Sequence, residues 1–329
     1  NSYVPEMNPG FRVQRISSRS VNETVSPEIR EKEAAYINSY NELEIRFRGN
    51  YAVTFRLFNE GLAYRFTISG KDSLRIVKEN LELYFETGDS LRFQSSETFN
   101  SAYETPYEHQ RVQDIKTGRL ISMPMLVEKT DGTFLMVTES DLYDYPGLWF
   151  SGTGESKLSA VNPPYPGSLT NTGSTYVRNQ VAESLNYIAW VKGSRTFPWR
   201  IFAVAGKEED LIENNMVWLL ASPCALKDIS WISPGVVMFD WWGKHNIYGV
   251  DFKSGVNTET AKYFIDFCAE NDFRYFLFDD GWSSRDNLLQ VVPDAFGSPV
   301  KVSDEAVKGG VETALKSDES VEGVTVASV

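Results

Sequence analysis

The sequence predicts a fold in two parts. An N-terminal β-sandwich comes first, and an α/β unit follows that starts a parallel (β/α)8 barrel without completing it. Three observations carry this. Apolar and polar residues alternate at period 2 through most of the first ~225 positions, with frequent turn residues between the runs. Helical spacing replaces that alternation near residue 207. From Trp231, an apolar run, a capped amphipathic segment and a second apolar run follow within about 45 residues.

The strands read in order. In "NELEIRFRGN", Leu43, Ile45 and Phe47 alternate with Glu44, Arg46 and Arg48, which places the apolar set on a dry face. Val53, Phe55 and Leu57 repeat the pattern, as do Tyr64, Phe66 and Ile68. "MLVEKTDGTFLMVTES" predicts a hairpin with Asp131-Gly132 at its turn. The loop "VNPPYPG" at 161–167 is one of many breaks between short strands. A linker helix is expected over about 207–222, with Ile212, Met216, Leu219 and Leu220 on one face, and "SPCALKD" ends it.

The boundary is expected near residue 227, giving a sandwich over 1–226 and a partial barrel over 227–329. "GVVMFDWW" and "RYFLFDD" read as buried parallel strands. Between them, Asn257 caps a helix with Glu259 in its first turn, and Ala261, Phe264, Ile265 and Cys268 form its apolar face. In the tail, 294–329, "SDEAVKGGVETALKSDES" reads as an interrupted helix and "VEGVTVASV" as a third strand. A complete barrel takes about 250 residues, and only about 100 follow the boundary.

Composition excludes several functions. With 45 acidic and 32 basic residues among 329, the net charge is −13, so a nucleic-acid partner is not expected. No apolar stretch reaches the roughly 18 residues a membrane span needs. The two cysteines, Cys224 and Cys268, make no disulfide framework, and the two histidines, His109 and His245, make no zinc spacing. The chain starts at Asn1 without a leader, as a mature chain or a fragment would.

The candidate chemistry lies at strand ends. Asp279 and Asp280 close the second parallel strand, and Asp240-Trp241-Trp242 close the first. In parallel α/β folds, ligands meet the carboxyl ends of strands. Carboxylates accept hydrogen bonds from hydroxyls and indoles stack on sugar rings, so this set suits a carbohydrate; the other reading is helix caps and rim packing. His245 either faces that pocket or sits in a surface loop. Glu139, Asp141 and Asp144 follow another strand and offer hard oxygens of the kind Ca²⁺ takes. They lack a DxDxDG loop, and a solvated acidic loop is the alternative. Arg195, Trp199 and Arg200 read as an arginine–aromatic stack packing the sandwich.

Taken in order, "FRLFNEGLAYRF", "VTESDLYDYPG", "RTFPWRIFAVA", "ENNMVWLLASP", "WISPGVVMFDWW" and "FLFDDGW" resemble glycoside hydrolase family 97. The resemblance covers about residues 41–292 and fades after Pro293. It implies an N-terminal β-super-sandwich, a (β/α)8 barrel and a further small β domain. It also implies α-glucosidase or α-galactosidase activity on terminal α-linked sugars of oligosaccharides. It implies one Ca²⁺, with Glu139 as the sandwich's ligand and the other ligands outside this chain. By analogy with related α-galactosidases, Asp279 and Asp280 contact the sugar and Trp241 lines its pocket. The catalytic carboxylates belong to later barrel strands, so these 329 residues alone are expected to be inactive. A periplasmic or secreted location is also implied. The alternative is a non-catalytic carbohydrate-binding or remnant sandwich module.

Overall fold

The computed structural model describes residues 12–29, 32–172, 179–284, 287–291 and 325–328. The chain forms two compact units, residues 1–27 with 32–225, and residues 28–31 with 226–329.

Nine strands run consecutively across the large sheet of the first unit. They are β1 (Val13–Val25), β2 (Tyr36–Phe47), β3 (Tyr51–Phe58), β4 (Gly61–Ile68), β5 (Ser90–Phe93), β6 (Glu108–Arg111), β7 (Met125–Glu128), β8 (Phe134–Ser140) and β9 (Trp199–Ala205). Their spatial order is β1-β2-β3-β4-β9-β8-β7-β5-β6, and every pairing is antiparallel. β9 therefore lies between two strands that precede it. Gly61 permits this closeness, because a Cβ there would stand 2.3 Å from the Phe202 carbonyl oxygen. β7 and β8 make the expected hairpin, with Gly132 at φ +84° in its turn.

A five-stranded sheet contains the short segments Glu82–Tyr84, Ser95–Ser96, Leu120–Ser122, Trp149–Gly152 and Lys157–Val161. It packs on one end of the large sheet. Leu91, Phe93, Val127 and Val137 from the large sheet meet Ile121, Phe150 and Leu158 from the small one, and all are fully buried. Full burial of each such side chain contributes about 1.5–3 kcal/mol. This makes the unit a sandwich.

Two sequence expectations are corrected here. Leu43 and Leu57 were placed on the dry face but are 37% and 56% exposed. The covered face of β2 and β3 instead carries Tyr36, Tyr40, Thr54 and Phe58, together with Glu42 and Arg56, which pair at 2.9 Å. Ion pairing let charged residues occupy the inner face, which hydropathy alone assigns to water. The linker helix over 207–222 is broken into a 3₁₀ turn, Glu208–Glu213, and one α turn, α1 (Met216–Leu220). Asn214 interrupts it: its Oδ1 accepts the Met216 amide at 3.0 Å, so the chain restarts there. Met216 and Leu220 are buried, but Ile212 is 73% exposed.

In the second unit, β10 (Val237–Phe239) pairs in parallel with β11 (Tyr275–Phe278), and β11 pairs in parallel with β12 (Thr325–Ser328). Between β10 and β11 runs α2 (Thr258–Glu270), where Asn257 accepts the Thr260 amide at 2.9 Å as cap. Ala261, Phe264 and Cys268 pack on Phe276 and Phe278. β10 is less buried than its apolar run suggests, with Val237 48% exposed. Its only ladder among the described residues is with β11, which leaves one edge uncovered. The expected helix within 294–324 lies outside the described residues.

Candidate active site at the strand ends, and a buried carboxylate pair

Sequence position brings Arg200 and Glu139 together, because they are register partners on β9 and β8. Arg200 is 1% exposed. Its Nε and Nη2 donate to the two oxygens of Glu79 at 2.8 and 2.6 Å, and its Nη1 donates to Glu139 Oε2. The Leu148 amide also donates to Glu139, at 3.1 Å to Oε1. Tyr145 closes the group with a hydroxyl 3.3 Å from Glu79.

The electrostatics are asymmetric. Burial pushes the Glu139 carboxyl above the usual range, and Arg200 only partly offsets it. Burial works against the Arg200 charge too, but Glu79 and then Glu139 outweigh it and raise the guanidinium pKa. One cation is shared between two carboxylates and grips Glu79 bidentately. Glu139 is thus the less firmly held of the two.

The loop after Glu139 is tied down. Asp141 accepts the Ser222 amide and hydroxyl, both at 2.9 Å. Arg195 donates to the carbonyls of Tyr143 and Asp144 at 2.6 and 3.1 Å. Asp141 and Asp144 have φ of +62° and +48°, a strained turn held by these contacts. The arginine–aromatic packing is present with other partners than the sequence suggested. Arg56 and Arg65 flank Trp199 at 4.8 and 4.3 Å, while Arg195 lies over Phe197 at 5.2 Å. Glu79 was not foreseen, since it stands 121 residues from Arg200 in sequence.

Calcium takes six to eight oxygens. Among the described residues, no group of three or more acids, histidines or cysteines is placed to hold a metal. The Asp141 carboxylate is engaged with Ser222, and the Asp144 side chain is 79% exposed. Among the described residues the further oxygens that a Ca²⁺ site needs are not gathered around Glu139, whose carboxylate is paired with Arg200.

In the second unit the parallel register sets Asp240 and Asp279 just beyond neighbouring strands, β10 and β11. The two are coupled: the Asp279 amide donates to Asp240 Oδ1 at 3.3 Å. Asp240 is buried, and its Oδ2 lies 2.7 Å from His245 Nδ1. Burial raises the Asp240 pKa, against the opposing pull of His245. Asp279 is half-buried and Asp280 exposed. Trp241 is 47% exposed and tilts over His245 with ring centres 5.4 Å apart. The structure therefore gathers Asp279, Asp280 and Trp241 at one end of one sheet. Asp240 anchors this end, whereas the sequence marked it only as one acid of the strand-end set with Trp241 and Trp242. Its signal was present: an acid at a strand end, five residues before a histidine.

A sandwich followed by parallel strands that end in acids and an indole is an arrangement compatible with a glycoside hydrolase. The family model described as Glycosyl-hydrolase 97 N-terminal matches residues 4–223, and that described as Glycoside hydrolase 97 matches residues 241–298. The chain belongs to glycoside hydrolase family 97, and the match reaches residue 298, a few residues past the Pro293 at which the sequence motifs fade. A retaining alpha-galactosidase from Bacteroides thetaiotaomicron is 38% identical over 86% of this chain and 44% of its own length. A probable retaining alpha-galactosidase from Streptomyces bingchenggensis is 22% identical over 73% of this chain and 33% of its own. The chain thus spans less than half the length of these curated relatives. In fold it is similar to a family 97 enzyme from Pseudoalteromonas sp. strain K8 solved with acarbose, with TM-score 0.70, 22% identity and coverage of 86% and 43%.

Proposed function

We propose that this chain forms the sandwich and the first barrel strands of a retaining α-glycosidase that removes terminal α-linked sugars from oligosaccharides. The observation that carries it is the pair of neighbouring parallel strands ending in Asp240-Trp241 and Asp279-Asp280. The 38% identity to a retaining alpha-galactosidase favours an α-galactoside over an α-glucoside.

Asp279 and Asp280 accept hydrogen bonds from ring hydroxyls, and the exposed face of Trp241 stacks on the ring. The second unit is the opening of a (β/α)8 barrel. The bond-cleaving carboxylates come from further strands, standing about 5–5.5 Å apart as retention requires. Residues 1–329 by themselves then bind sugar weakly and do not hydrolyse it. Glu139 contributes one oxygen ligand to Ca²⁺: a carboxylate has about four acceptor positions, and Arg200 and the Leu148 amide leave some of them free. Family membership favours a periplasmic or secreted setting. No helix among the described residues is long and apolar enough to cross a membrane.

The test compares p-nitrophenyl α-galactoside and α-glucoside turnover by the complete gene product and by this chain. The complete protein should release nitrophenol faster from the galactoside, with the first-formed sugar in the α configuration. Absence of turnover on both substrates, or a β product, would sink the reading.

A further inference from the structure

The geometry points to His245 as a further ligand contact at the strand ends, and to Asp240 as its positioning residue. The inference rests on the sugar-site reading above and extends it to a residue with no assigned role.

Asp240 is 2% exposed, and both its oxygens are committed. Oδ1 receives the Asp279 amide, and Oδ2 meets His245 Nδ1 at 2.7 Å. A carboxylate that accepts at both oxygens requires Nδ1 to carry the ring proton. In the neutral ring Nε2 then presents a lone pair. The ring is only 8% exposed, and among the described residues Nε2 makes no hydrogen bond, so a donor from a ligand is the partner it lacks. Trp241 and Phe278 pack against the ring, with centres 5.4 and 6.1 Å away.

The backbone supports the same conclusion. Lys244 and His245 are consecutive residues at φ +54° and +56°, a conformation that side-chain-bearing residues avoid. Their amides are fixed to the Trp241 and Asp240 carbonyls at 2.8 and 3.1 Å. Such strain persists where surroundings over-determine it, and here it swings the imidazole back beneath Asp240. The resulting strand end is lined by acceptors: His245 Nε2, Asp279 and Asp280. That chemistry matches a neutral polyhydroxy ring, which brings donors, and rejects an anion.

The chain contains only two histidines, so imidazole NMR assigns them directly. Long-range ¹H–¹⁵N spectra of the 329-residue chain should show His245 as the Nδ1-protonated tautomer. Asp240→Asn should mix the tautomers. Titration with methyl α-galactoside should shift the His245 Nε2 and Trp241 indole signals and leave His109 unmoved. His245→Phe should weaken binding about three- to tenfold, the worth of one hydrogen bond; His245→Gln, which keeps an acceptor, should weaken it less. An Nε2-protonated His245 in the wild type would overturn the inference without any mutation. A Trp241 signal that shifts while His245 stays still would overturn it and leave the sugar site standing. If neither signal responds, both fall.

Discussion

Removing the Arg200 guanidinium should unseat the first unit. Arg200→Met keeps much of the side-chain volume but strips three hydrogen bonds and the one cation between Glu79 and Glu139. Both carboxylates stay in place, 10% and 12% exposed, with no counter-charge. Breaking a buried pair in this way costs about 3–5 kcal/mol, because an uncompensated charge is left behind. For a unit of this size each kcal/mol moves Tm by about 2–4 °C, so the drop should be roughly 6–20 °C by calorimetry at pH 7. The pH dependence has a definite sign. Without Arg200, burial holds the folded-state pKa of Glu139 still further above its unfolded value. The unfolded chain then loses its protons first, and stability falls as pH rises from about 4.5 toward the raised folded value. The deficit against wild type should therefore shrink at pH 4.5 and widen at pH 7. Glu79→Gln and Glu139→Gln added to Arg200→Met should recover much of the loss. A Tm change under 2 °C for Arg200→Met, or a deficit that grows on acidification, would refute the reasoning.

Other outcomes are expected with the complete gene product or with this chain. Asp279→Asn and Asp280→Asn should each lower kcat/KM at least about tenfold in the complete protein while moving stability by less than about 0.5 kcal/mol. Wild-type kinetics with a sharply lower Tm would assign them to architecture. Glu139→Gln should weaken Ca²⁺ binding by the complete protein, measured by calorimetric titration, and unchanged affinity would remove it from the ligand set. Asn257→Ala should cost about 1 kcal/mol through loss of the α2 cap, read as faster amide exchange at Thr260. The 329-residue chain alone should release no nitrophenol above buffer from either p-nitrophenyl glycoside.

Local patterns made much of this legible from sequence. The Asp131-Gly132 hairpin, the Asn257 cap and the parallel pair ending in acids all depend on neighbours within a few residues or on one periodic face. The inner face of β2 and β3 was misread because hydropathy counts Glu42 and Arg56 as wet. Only their partnership, 14 residues apart, makes them interior. Glu79 escaped for the same reason on a longer scale, since nothing local marks it as the partner of Arg200. The anchoring role of Asp240 escaped differently. Its environment is local, but its importance comes from using both oxygens, and sequence does not show how many bonds a carboxylate makes. The break at Asn214 is a competition between side-chain and backbone hydrogen bonding that apolar spacing cannot register.

The position of β9 has a consequence for how the protein is made. β1 to β4 join as successive hairpins and need few long excursions. β7 and β8 form another hairpin, built independently of the first group. The two groups stay apart until residues 199–205 are available to pair with β4 on one side and β8 on the other. Late, long-range pairing of this kind carries a loop-closure cost and leaves strand edges open meanwhile. During synthesis, β4 and β8 both wait with unsatisfied backbone groups, and Glu139 waits for its cation. A nascent chain whose Trp199 has not yet left the ribosome would therefore display two sticky half-sheets, whereas one from which Ala205 has emerged can close the large sheet. The strand that joins the halves also delivers the charge that their interior needs.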